Sequence, residues 1–164
     1  MKARRTKLAV LVVFATAFGF VEAAVVYYLR ILLHFHANLP LPRYKVLLNL
    51  GFLTFVSPQH SLLVNNRLND TEIVREACTI IVLACVAYVA GSSLGQRLGA
   101  FLVGFACWDI TYYLFLKILD NWPSSLLTRD VYFLIPVTWI GPVITPLVIS
   151  TLMLIGGSML YLRS

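Results

Sequence analysis

The stretch from Leu8 to Leu33, LAVLVVFATAFGFVEAAVVYYLRILL, decides the fold. It is almost wholly apolar, and only Glu22 and Arg30 interrupt it with charge. A helix rises about 1.5 Å per residue, so this run is long enough to cross a hydrocarbon core about 30 Å thick. A carboxylate near mid-bilayer costs roughly 2.5–3.5 kcal/mol on insertion scales, so Glu22 is expected to face a partner or a cavity. A second acid, Asp109, lies in a similar run, Gly99 to Leu119, GAFLVGFACWDITYYLFLKIL.

The rest of the chain agrees with a membrane environment. Its 164 residues are 60% hydrophobic and 12% charged, with mean hydropathy +0.85. A soluble domain carries about 25% charge. This composition excludes a nucleic-acid-binding role despite the net charge of +6. Much of that charge is an N-terminal cluster, Lys2, Arg4, Arg5 and Lys7, which suits an anionic lipid surface. The segment MKARRTK resembles a signal-peptide n-region. The apolar run that follows is too long for an h-region, so an uncleaved first span is expected.

These features predict an all-α integral membrane bundle, residues 1–164 forming a single membrane domain. Four spans are expected at about 8–33, 72–91, 98–119 and 142–161. Asn69 and Asp70, with Glu72 following, read as a cap for the second span. The last apolar stretch, about 131–161, contains Pro136, Gly141, Pro142 and Pro146. It predicts a short helix at about 131–140, a proline break and a final span. The 34–71 connection carries VLLNLGFLTFV, 46–56, which is too short to cross and predicts an interfacial or re-entrant segment.

The basic cluster favours a cytoplasmic N-terminus, and an even number of spans returns the C-terminus to the same side. That places the chain in a plasma or inner membrane with both termini cytoplasmic. Helical rise then brings polar residues from different spans to one depth. Glu22, Arg75, Glu76, Asp109, Tyr112 and Tyr113 form a candidate intramembrane polar cluster. Asp109, Tyr113 and Lys117 share one face of the third span. Glu72, Lys117 and Asp130 read individually as helix-end anchors at the interface.

Other chemistries lack their residues. Cys78, Cys85 and Cys107 form no CxxC pair and read as small buried hydrophobes. No Glu-x-x-His pair is present for a di-metal site, so no metal ligands are assigned; His34, His36 and His60 read as interfacial. No GxSxG motif occurs, and no catalytic residue is assigned. The residues name no cofactor.

A glutamate embedded in the first of four spans resembles the small multidrug resistance exporters. The resemblance covers Glu22 alone. The long 34–71 connection, Asp109 and the broken last span depart from that pattern.

The leading functional expectation is a non-enzymatic accessory or assembly subunit of a larger membrane complex. Its partners would be the lipid bilayer and other membrane subunits or further copies of itself. The strips Ala15/Gly19/Ala23 and Gly91/Gly95/Gly99 would permit close helix contacts. The alternative is a proton-coupled small-solute transporter using Glu22 and Asp109.

Overall fold

A computed structural model describes residues 2–33, 44–58 and 66–164. The described residues are mostly helical, with four helices: α1 (Lys2–Leu33), α2 (Asn66–Ala90), α3 (Leu94–Asp120) and α4 (Ile144–Arg163). All four are long and apolar enough to cross a membrane. They run up, down, up and down. Tyr161 near the end of α4 donates to the Ala90 carbonyl at the end of α2, 3.0 Å away. At the opposite end Arg30 of α1 pairs with Asp120 of α3 at 2.9 Å. The most buried helix is α3, which packs against all three others.

The all-α expectation needs a correction. Among the described residues four strands form one antiparallel sheet in the order β1-β2-β4-β3: β1 (Tyr44–Asn49), β2 (Thr54–Pro58), β3 (Arg129–Phe133) and β4 (Thr138–Pro142). The expected interfacial segment 46–56 is a β-hairpin. Its turn is Asn49 to Thr54, where the Asn49 side chain accepts from the Gly51 N–H at 2.8 Å and Gly51 has φ +84°. That is turn chemistry joining two runs of β-branched, aromatic and apolar residues. The expected short helix at 131–140 is instead β3, a turn and the start of β4. Pro136 lies in that turn, where it breaks no ladder, and Val131, Tyr132, Phe133, Trp139 and Ile140 favour extended backbone. The two hairpins join through β2 and β4, where Phe55 opposes Trp139 with ring centroids 5.0 Å apart.

The helix ends also differ from expectation. Asn69 and Asp70 lie inside α2 rather than capping it. Pro146 falls in the first turn of α4, where a missing N–H breaks no internal bond, so the last span is continuous. No side chain caps α4. Its leading N–H groups, those of Val143 and Ile144, donate to the carbonyls of Thr128 and Leu126, each at 2.9 Å. The α3 helix has a conventional cap, Ser93 accepting from the Gln96 N–H at 3.2 Å.

Both small-residue strips are used within the chain. Ala15 and Ala23 are fully buried, and a Cβ at Gly19 would lie 2.8 Å from the Trp108 carbonyl oxygen. A Cβ at Gly99 would lie 2.6 Å from the Tyr161 nitrogen. The first strip therefore seats α1 on α3, and Gly95 and Gly99 seat α3 on α4.

Candidate functional site: a buried polar layer beneath the sheet

All seven acids lie in the half of the molecule nearest the sheet. Glu22, Glu72, Asp109 and Asp130 are buried, and Glu76 is half-buried. Up-down topology produces this arrangement. It brings the last third of α1, the first half of α2, the second half of α3 and the start of α4 to one level, with β3 above.

The first group centres on Arg75. Its guanidinium donates to Glu22 of α1 and to Glu72 of its own helix, the latter at 2.7 Å. The Thr79 hydroxyl, one turn further along α2, donates weakly to the other Glu22 oxygen at 3.4 Å. Two carboxylates thus surround one cation. The Glu72–Arg75 spacing of three residues places both on one helix face.

The second group has no cation in contact. The Ser150 hydroxyl of α4 donates to the Asp109 carboxylate of α3 at 2.7 Å. The Tyr113 hydroxyl, one turn above Asp109, donates to Asp130 of β3 at 2.9 Å. Among the described residues no ion pair reaches Asp109 or Asp130. Burial pushes the Asp130 carboxyl up to about 6, against the opposing pulls of the Tyr113 hydroxyl and the Arg30 charge. Burial also raises the Tyr132 phenol, which donates to the Pro142 carbonyl at 2.6 Å.

Tyr112 stands between the two groups. Asp130, Arg30, Glu22 and Arg75 all lie within electrostatic reach of its phenol. Its ring stacks at 6.5 Å on Trp108 and meets Tyr113 at 4.9 Å. Trp108 and Trp139 both contact Phe133, at 6.5 and 6.0 Å, so an aromatic floor joins α3 to the sheet. Both indole N–H groups are buried without a hydrogen-bond partner among the described residues. Glu76 accepts from the Leu134 N–H at 2.8 Å, tying α2 to the end of β3. Arg30 closes the layer at one corner, lying 4.1 Å above the Trp122 ring while paired with Asp120.

Of the six residues read from the sequence, Glu22 and Arg75 touch directly. Glu76, Tyr112, Tyr113 and Asp109 lie around them, and Asp109 does not meet Arg75. The expected Asp109–Tyr113–Lys117 stripe divides. Lys117 is exposed and donates to the carbonyls of Asn121 and Pro123 at 3.2 and 3.0 Å. Glu72 and Asp130, read as interface anchors, are instead buried members of the layer. The Glu72–Arg75 spacing could have revealed the first. Nothing local in the sequence marks Ser150 or Asp130, which reach the site through tertiary packing.

The expectation of buried cysteines holds only for Cys107, since Cys78 and Cys85 are exposed on α2. His34, His36 and His60 lie outside the described residues. Among the described residues no group of three His, Cys, Asp or Glu side chains could hold a metal ion. No family model matches this chain, and no curated protein or solved structure was found that resembles it.

Proposed function

We propose that this chain is a small proton-coupled membrane transporter, with Asp109 and Asp130 as the proton-exchanging groups. The carrying observation is the division of the buried acids into two groups. Glu22 and Glu72 share the Arg75 cation, whereas Asp109 and Asp130 are held by neutral donors, the Ser150 hydroxyl on the first and the Tyr113 hydroxyl and Val131 backbone N–H on the second. An acid that must charge and discharge needs a partner that tolerates both forms, and a hydroxyl can donate to a carboxylate or accept from a carboxylic acid. Glu22 then acts as a fixed electrostatic anchor between α1 and α2. This differs from the pair Glu22 and Asp109 suggested by sequence alone. In this reading the protein sits in a plasma or inner membrane with both termini cytoplasmic and the sheet outside.

The test is reconstitution of the purified chain in liposomes holding a pH-sensitive dye. A panel of amino acids, sugars, organic acids and amines is added outside. Movement of a solute together with protons, lost in a folded Asp109→Asn variant, would favour this reading. No coupled movement with any solute would oppose it.

An accessory subunit is the second reading. The outward face of α2, with Val74, Ile81 and Val89 exposed beside Cys78 and Cys85, could receive a partner helix. The small-residue strips no longer argue for it, because the chain consumes them internally. Reproducible co-purification of one membrane protein in gentle detergent, lost when bulky residues replace Cys78 and Cys85, would favour this alternative.

A further inference from the structure

We infer that the end of the bundle opposite the sheet is a binding surface for anionic phospholipid headgroups, assembled from three separate parts of the chain. Negative charge is confined to one half of the bundle, whereas positive charge lies in both. All seven acids lie in the sheet half. The opposite end carries Lys2, Arg4, Arg5 and Lys7 at the start of α1, Arg97 at the start of α3 and Arg163 at the end of α4. These six cations equal the formal net charge of the whole chain, +6.

Two of them are fixed in place by neutral partners. Arg4 donates to the Leu162 carbonyl at 3.4 Å, where the last carbonyls of α4 present a partial negative charge. Arg97 donates to the Gly91 carbonyl at 3.3 Å and lies 3.8 Å above the Tyr88 ring. Carbonyls and a ring hold these guanidiniums but supply no full counter-charge. Arg5, Lys7 and Arg163 are exposed around them. With no Asp or Glu side chain in this half to match six cations, the neutralising anions come mainly from outside the chain. For helices that cross a bilayer, the anions at that level are lipid phosphates. Each basic residue near an anionic membrane surface strengthens binding about fivefold. This inference is independent of the transport proposal, since none of these residues belongs to the polar layer.

The experiment is native mass spectrometry of the full chain, purified in detergent and mixed with equimolar phosphatidylglycerol and phosphatidylcholine. The expected result is preferential retention of phosphatidylglycerol, reduced about tenfold or more in the Arg5→Gln/Lys7→Gln/Arg163→Gln variant. A Lys45→Gln/Arg129→Gln variant, altered at the sheet end, should keep the wild-type preference. A melting midpoint raised by phosphatidylglycerol in wild type, and not in the triple variant, would establish the same point in solution. Equal retention of the two lipids would overturn the inference. So would an unchanged preference in the triple variant, an equal loss in the sheet-end variant, or full displacement of the lipid by inorganic phosphate.

Discussion

Arg75 of α2 is held by Glu22 of α1, across two helices that touch little elsewhere. Glu72 holds the same guanidinium from one turn away at 2.7 Å. The arrangement is asymmetric. Removing Glu22 leaves Arg75 with a remaining partner, whereas removing Arg75 strands two buried carboxylates.

Arg75→Met should therefore be the more damaging change. Stranding a buried charge typically costs about 3–5 kcal/mol. Glu22→Gln should cost less, on the order of 1–3 kcal/mol, because the Glu72 pair survives. Unfolding in mixed micelles checks the order. Equal losses, or a larger loss for Glu22→Gln, would contradict the shared-cation geometry.

Asp130 gives a pH signature. Its folded carboxyl titrates near 6, raised by burial, whereas an exposed aspartate titrates near about 3.9. The folded state thus holds the proton more tightly than the unfolded state does. Stability from this group is complete below about pH 4, falls as pH rises towards 6 and stays reduced above that, by roughly 3 kcal/mol. An Asp130→Asn variant cannot titrate there. Its stability relative to wild type should rise between about pH 4 and 6 and then level off. A relative stability that stays flat or falls over that window would count against a protonated, buried Asp130.

Gly19→Ala tests the α1–α3 contact. The added methyl meets the Trp108 carbonyl at 2.8 Å and the Thr111 side chain. Backbone cannot yield as a flexible side chain does, so the cost should be about 1–3 kcal/mol. Thermal unfolding of the purified chain alone is the right measurement, because the contact lies within one molecule. A neutral effect would mean that α1 does not seat on α3 as described.

Gly51→Ala isolates a backbone effect in the β1–β2 turn. Gly51 has φ +84°, and a Cβ there meets nothing within 4 Å. The cost should come from conformation alone, about 1–2 kcal/mol. It should appear as faster hydrogen exchange in residues 44–58, with the helices unchanged. Exchange equal to wild type would argue against this turn.

The four spans were legible because long apolar runs admit few other structures, and Glu22 and Arg75 stood out because charge in such runs is costly. The sheet was less legible. VLLNLGFLTFV and VYFLIPVTWIG are short apolar stretches whose periodicity separates neither strand from helix, and β2 and β4 each need the other hairpin to complete their pairing. Asn49 and Gly51 carried the local turn signal. Asp130 looked like an interface charge because its burial depends on β3 folding over Tyr113. Ser150 had no signal at all, being an ordinary serine in an apolar helix until α4 packs against Asp109.

The central claim is that Asp109 and Asp130 exchange protons while Glu22 serves as an anchor paired with Arg75. Infrared difference spectroscopy of the protein in lipid, stepped across neutral pH, reads protonated carboxyl groups directly. We predict carboxylic-acid bands that shrink in Asp109→Asn and in Asp130→Asn and persist in Glu22→Gln. Bands unchanged in both aspartate variants, or lost in Glu22→Gln, would contradict the account.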